Sequence, residues 1–303
     1  MKYIIYLFLL VPFSVSAQIK GVVVDESNNP IPYVNIWIEN ENIGTTSELD
    51  GTFSLQLKNQ EKNLIFSVIG FESKSINSKE TQKVVLKSAL IQLDEVVIKQ
   101  KRSKQSKEIG NYESAGFRYH MNYFVNGIYF KVSDEERMQY PFIKEIKFRT
   151  LSENKNAKIR IYLVEKNEDG SPGIQLLTDE IILEVKKGNT KNTIDFSSKK
   201  IEIPKEGFFV VFEKLKIEQN IHYIEYNYKD KNGKKTSYKG LSYEPEIALL
   251  PVNEQIGWNK RINDKWEKSS KTTIQNPNSF ENILMKKYHN KYLIPSVNIT
   301  ITN

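Results

Sequence analysis

Phe208-Phe209-Val210-Val211-Phe212-Glu213 is a nearly unbroken apolar run closed by a carboxylate. Side chains on a strand point alternately to two faces, so a half-solvated strand alternates apolar with polar. A run that does not alternate belongs at the centre of a sandwich, where both faces are apolar. The neighbouring segments behave differently. Lys158-Ile159-Arg160-Ile161-Tyr162-Leu163-Val164 alternates cleanly, and Phe142 to Arg149 alternates with Ile146 and Phe148 on one face.

Further strands are expected over Gly127–Val132, Glu180–Val185, Ile221–Tyr228 and Tyr292–Ile301, with a short helix over Phe280–Tyr288. Asn126-Gly127, Asp169-Gly170-Ser171-Pro172-Gly173, Lys187-Gly188-Asn189 and Asp230–Gly233 supply turns. About eight or nine strands over residues 112–303 predict a jelly-roll-like β-sandwich. Phe142 to Thr150, Arg160-Ile161-Tyr162, Ser171-Pro172-Gly173 and Ile203-Pro204 to Glu213 resemble the jelly-roll accessory regions of other secreted bacterial proteins, a resemblance that transfers no residue role.

Residues 18–88 predict a second, smaller sandwich. Ile19–Val24, Val34–Ile38, Thr52–Leu57, Leu64–Val68 and Lys83–Leu86 read as strands. Val34, Ile36 and Ile38 share one face, and Phe53, Leu55 and Leu57 point inward. Asp25–Pro30 and Asp50-Gly51 are turns. The chain is therefore expected to be all-β, with an N-terminal transthyretin-like or Ig-like sandwich followed by the jelly-roll-like one.

Residues 19–98 resemble the carboxypeptidase regulatory-like domain, a transthyretin-like sandwich common in envelope proteins of the Bacteroidetes. The resemblance is carried by Gly21-Val22-Val23-Val24-Asp25, Pro30-Ile31-Pro32, Val34-Asn35-Ile36, Gly44-Thr45, Asp50-Gly51-Thr52-Phe53, Phe66 to Phe71 and Leu93-Asp94-Glu95-Val96-Val97-Ile98. It implies an accessory module, not a catalyst. Such modules precede TonB-dependent receptor barrels or sit beside zinc carboxypeptidases. A receptor barrel needs more strands than about two hundred residues provide. The zinc pair would be His222-x-x-Glu225, but residues three apart on a strand face opposite ways and do not converge on a metal. His120 and His289 add no ligand spacing. No metal site and no cofactor are expected.

At the N-terminus Lys2, the apolar run Ile4–Phe13 and Val15-Ser16-Ala17 form a secretory signal pattern, with processing expected after Ala17. The run is too short to anchor in a bilayer, and the mature chain is expected to lack a transmembrane segment. Export to the periplasm or association with the outer membrane follows. The 303 residues suggest about two domains after processing, and a 39% hydrophobic content fills their cores. Residues 89–111 are expected to be a terminal strand followed by a basic linker, with Lys101, Arg102, Lys104 and Lys107 in an exposed tether over 100–108.

The net charge of +7, or +6 without Lys2, is spread along the chain, and no nucleic-acid partner is expected. The absence of cysteine excludes thiol catalysis, disulfides and N-terminal lipidation of this sequence. No Gly-x-Ser-x-Gly elbow, phosphate loop or dinucleotide fingerprint is present.

The expected function is a non-enzymatic envelope module for binding or assembly, with an envelope protein or glycan as partner. The alternative is an exported hydrolase of glycan or peptide, its site assembled from distant carboxylates such as Glu213, Glu225 and Glu244. Glu213, at the end of its strand, reads first as a salt-bridged or rim residue. Asp169 and Asp230 sit in turns that also suit calcium, with the ordinary turn role expected. The candidate binding residues are Trp258 and Trp266, within a stretch, Gly257–Glu267, that reads as too polar for a core strand. An exposed indole there would stack on a sugar or clamp a peptide side chain. Packing inward from one side of a hairpin is the plainer role for both.

Overall fold

The computed structural model describes residues 17–57, 61–89, 105–111, 123–229, 233–261, 265–273 and 286–303. Outside these lie the expected signal segment up to Ser16, Leu93–Ile98, the expected tether up to Lys104, His120, Asp230 and most of the expected Phe280–Tyr288 helix. The chain is all-β and forms two sandwiches.

In the first sandwich, the strand Ala17–Val24 lies between Thr52–Leu57 and Lys83–Val85. The facing sheet runs in the order Gly44–Thr46, Asn35–Ile38, Asn63–Ser67, Lys74–Asn77. Thr52–Leu57 alternates exposed and buried at every step, as its sequence predicts. Ile36, Ile38, Phe53, Leu55, Leu57, Leu64 and Phe66 meet in one core. Gly21 is required where the chain comes closest to its neighbour. A Cβ there would lie 1.9 Å from the Thr81 carbonyl oxygen and 2.8 Å from the Phe53 ring. Gly51 takes φ +76° in the Asp50-Gly51 turn, a conformation that suits glycine.

One sheet of the second sandwich runs Gly188–Asp195, Phe142–Ser152, Val297–Thr302, Ser106–Asn111. The other runs Pro172–Gln175, Ala157–Lys166, Phe208–Lys214, Val125–Phe130, Gly257–Lys260, Glu267–Lys268. Ser106–Asn111 pairs with Val297–Thr302 along its whole length, so the end of the stretch read as a tether is an edge strand. Gly188–Asp195 and Lys235–Tyr243 are strands although their sequences are polar, and Asp134–Gln139 is a short helix closed by a Ser133/Glu136 capping box.

Phe208–Lys214 is central to its sheet and buried on both faces. Phe208, Val210 and Phe212 enter the main core with Ile146, Phe148, Ile159, Ile161 and Val297. Phe209 and Val211 point the other way, into a second cluster with Val125, Val164 and Trp258. A two-layer sandwich leaves the outer face of each sheet to solvent. Here part of that outer face is covered by the first sandwich.

Candidate functional site

The two sandwiches meet through side chains that local sequence reading assigns to solvent. On Ala157–Lys166 the odd positions Ile159, Ile161 and Leu163 face the main core, which sends Lys158, Arg160 and Tyr162 outward. Arg160 is nevertheless only 1% exposed. Its Nη2 donates to the carbonyl of Tyr33, a residue of the first sandwich. Nη1 donates to Glu213 Oε2 at 3.2 Å, and Nε lies 2.7 Å from Glu180 Oε1. Asn35 Nδ2, from the first sandwich, donates to Glu213 Oε1 at 2.6 Å. Burial raises the Glu180 pKa above the ordinary carboxylate value, and the Arg160 charge works against that rise.

Beside this cluster, Tyr33 packs on Leu215, Ile217 and Ile182. Tyr33 holds φ +57°, an uncommon backbone state for a bulky residue. The loop after Phe208–Lys214 then bonds the first sandwich repeatedly. The Lys216 N–H donates to Thr46 Oγ1 at 3.0 Å, Lys216 Nζ to the Gly44 carbonyl at 3.2 Å, and the Glu218 N–H to Glu48 Oε1 at 2.7 Å. Lys158 Nζ donates to the Tyr33 hydroxyl at 2.9 Å. Lys216 Nζ also sits 4.0 Å from the centre of the Phe124 ring, and burial pushes its pKa down to about 8. Burial likewise raises the Glu48 pKa, and the hydrogen bond from the Glu218 N–H works against that rise.

Next to these contacts the facing sheets leave a cleft of about 220 Å³. Asn35, Trp37 and Thr45 line it from the first sandwich, and Tyr162, Glu213 and Trp266 from the second. Trp37 Nε1 is buried and lacks a hydrogen-bond partner among the described residues. Glu213 is the one carboxylate of the lining among the described residues, and both its oxygens are engaged.

The two candidate tryptophans separate. Trp258 pairs with Lys268 across the hairpin, and the next pairing is Asn259 with Glu267, so Trp258 and Trp266 lie on the same side of the sheet. Trp258 is 8% exposed and packs edge-on against Phe209, with ring centres 6.4 Å apart. The strand Gly257–Lys260, read as too polar for a core, is buried at its first three positions, and Asn259 Nδ2 donates to Ser269 Oγ at 3.0 Å. Trp266 is half-buried and lines the cleft. Sequence reasoning missed Trp37, Asn35 and Arg160. The available signal was the unbroken Phe208–Phe212 run, which requires a cover on its outer face.

The other candidates stand apart from the cleft. His222 and Glu225 lie on the regular strand Ile221–Lys229, paired with Ser242 and Lys239 of a two-stranded hairpin, and Glu225 bonds Lys239 at 3.2 Å. Glu244 is fully buried and is not among the cleft residues. Asp169 Oδ1 accepts from the Ser171 N–H at 2.9 Å and from the Ser171 hydroxyl at 2.6 Å, which closes its turn and lowers its pKa. Among the described residues, no three His, Cys, Asp or Glu side chains cluster as metal ligands would. No helix among them is long and apolar enough to cross a membrane, which says nothing of strands.

Residues 19–98 match the family model of the CarboxypepD_reg-like domain. A TonB-dependent receptor of Formosa agariphila is 32% identical over 104 residues, 32% of this chain and 10% of the receptor. The TonB-dependent receptor SusC of Bacteroides thetaiotaomicron is 30% identical over 86 residues, 28% of this chain and 8% of that receptor. The chain thus spans about a tenth of the length of these curated relatives. Among solved structures, the cysteine protease and lectin-like domains of Cwp84, a surface layer associated protein of Clostridium difficile, align over 90% of this chain and 58% of theirs. The TM-score is 0.36 and the identity 12%. The same clostridial protease after propeptide cleavage aligns over 95% of this chain and 71% of its own, with TM-score 0.35 and identity 12%. At these scores the alignments carry neither fold nor activity across.

Proposed function

We propose that this chain is a non-enzymatic module of the cell envelope that binds or assembles with a partner through its paired sandwiches. The observation that carries the reading is the state of Glu213. A hydrolase of the glycosidase type needs two opposed carboxylates free to exchange protons or attack. Glu213 is instead held by Arg160 and Asn35 and joins the two sandwiches. Glu225 and Glu244, the other acids of the hydrolase reading, are not among the cleft residues. The aromatic lining from both sandwiches suits recognition.

Placement in the envelope rests on the signal pattern at Lys2–Ala17 and on the partial likeness to TonB-dependent receptors. Cross-linking in intact envelopes of the native host, followed by mass spectrometry, tests location and partner together. The expected result is a chain beginning at Gln18, or its cyclised form, linked to an envelope component. Recovery in the cytosol with Met1–Ala17 intact, or turnover of a glycan or peptide that persists through purification, would overturn the reading.

A further inference from the structure

We propose that the cleft between the sandwiches binds one pyranose ring of a neutral oligosaccharide, stacked against Trp37 and Trp266. This rests on the non-catalytic binding reading and names its site and ligand class. Size comes first. A cleft of about 220 Å³ is smaller than the roughly 300–1,000 Å³ of pockets for drug-sized ligands. It takes a single ring, with the rest of an oligosaccharide outside.

The chemistry of the walls narrows the ligand further. Trp37, Tyr162 and Trp266 offer apolar ring surface, which suits the C–H face of a sugar. Trp37 Nε1 is a buried donor without an acceptor. A buried donor left unpaired costs free energy that a ligand oxygen would restore. Lys260 and Gln175 also line the cleft. Asn35 has given its amide to Glu213, which leaves its carbonyl as an acceptor. A hydroxyl both donates and accepts, so a sugar ring satisfies this mixture, whereas an aliphatic side chain leaves Trp37 Nε1 unpaired.

Charge decides between neutral and acidic sugars. Arg160 faces two carboxylates, Glu180 and Glu213, leaving one negative charge beside the cleft. Lys260 supplies one positive charge. The site is close to balanced, and an anionic ring would meet Glu213.

The test uses the processed chain, residues 18–303, with labelled indole nitrogens. Its three tryptophans give three indole N–H signals, assigned by single Trp→Phe variants. The probes are hexasaccharides of glucose in α-1,4, β-1,4 and β-1,3 linkage, of β-1,4-xylose and of β-1,4-N-acetylglucosamine, with hexagalacturonate as the anionic contrast. At least one neutral hexasaccharide is expected to move the Trp37 and Trp266 signals and leave Trp258 in place. Trp37→Ala and Trp266→Ala should each weaken that binding about tenfold or more, and Lys260→Gln and Gln175→Ala, which spare the core, should weaken it less. Silence from every neutral probe, movement confined to Trp258, or tighter binding of hexagalacturonate than of any neutral probe would overturn the assignment. Shortening of a bound hexasaccharide during the titration would instead remove the non-catalytic reading and leave the cleft as the binding site.

Discussion

Asn35 and Glu213 are 178 positions apart and are joined by a 2.6 Å hydrogen bond across the junction of the two sandwiches. Beneath them Arg160, itself buried, ties Glu213 and Glu180 to the Tyr33 carbonyl. The group most sensitive to change is the guanidinium, because its removal leaves buried Glu213 and half-buried Glu180 without a cation. Arg160→Met is expected to destabilise the protein by about 3–5 kcal/mol, the range for breaking a buried pair by removing one partner. Replacing Arg160, Glu180 and Glu213 together with apolar residues should recover most of that loss. Chemical unfolding of the single and triple variants measures both, and equal losses in the two would contradict the account.

The same junction predicts how a cut chain behaves. The basic composition of Gln100–Lys104 invites trypsin there, whereas Ser106–Asn111 is hydrogen-bonded along Val297–Thr302. A chain nicked between Lys101 and Lys104 is expected to elute as one particle of unchanged size. Its halves should part only under conditions that also weaken Arg160→Met. Separation of the halves in ordinary buffer would mean that the junction contributes little to association.

How much of this was legible in the sequence follows from the range of each signal. Thr52–Leu57 and Phe142–Ser152 alternate because one face is core and the other is not, and that period is local. Lys158–Val164 alternates as well, and the pattern assigns Arg160 and Tyr162 to solvent. What buries Arg160 is a sheet from a segment more than a hundred residues earlier, which no local period reports. The unbroken Phe208–Phe212 run did carry the information, since its outer face needs a cover. Which surface supplies the cover was not readable, because Asn35 and Trp37 look like ordinary outward residues of Asn35–Ile38. The polarity of the stretch around Trp258 hides a buried strand for a related reason. The polar neighbours Asn259 and Ser269 satisfy each other inside the sheet.

Lys216 gives the junction a pH dependence. Burial holds its folded pKa near 8, against about 10.4 in an unfolded chain. Between those values the unfolded chain binds more protons, so stability rises with pH. Below the window both states are charged and the full cost of burying the ammonium is present. Tyr243, raised by burial, acts in the opposite direction once unfolded tyrosine ionises near pH 10, so the clean window is about pH 8 to 9.5. Lys216→Met is expected to remove the rise and to be more stable than the native chain at pH 7 by roughly 1–2 kcal/mol. Denaturation midpoints across the window check both. A native chain that loses stability between pH 8 and 9.5 would show that the ammonium is better paired than its contacts with Gly44 and Phe124 indicate.

Trp258 and Trp266 lie on one side of the same hairpin and are expected to respond unequally to the same substitution. Trp258 fills the space above Phe209, and its indole closes the outer cluster with Val125, Val164 and Val211. Trp258→Ala leaves a cavity the size of an indole between strands that are hydrogen-bonded on both sides, so the backbone has little freedom to collapse into it. The expected loss is about 3–5 kcal/mol. Trp266 packs against the same cluster from its edge and borders the cleft, so part of its surface already meets solvent. Trp266→Ala removes less buried area and leaves a wider cleft, not a closed void, for a loss of about 1 kcal/mol. Thermal unfolding of the two variants, with Trp258→Phe to restore part of the volume, separates them. Equal destabilisation would place both indoles in the core and leave the cleft without its aromatic wall on that side. A stable Trp266→Ala protein beside a destabilised Trp258→Ala protein is the outcome that the packing requires.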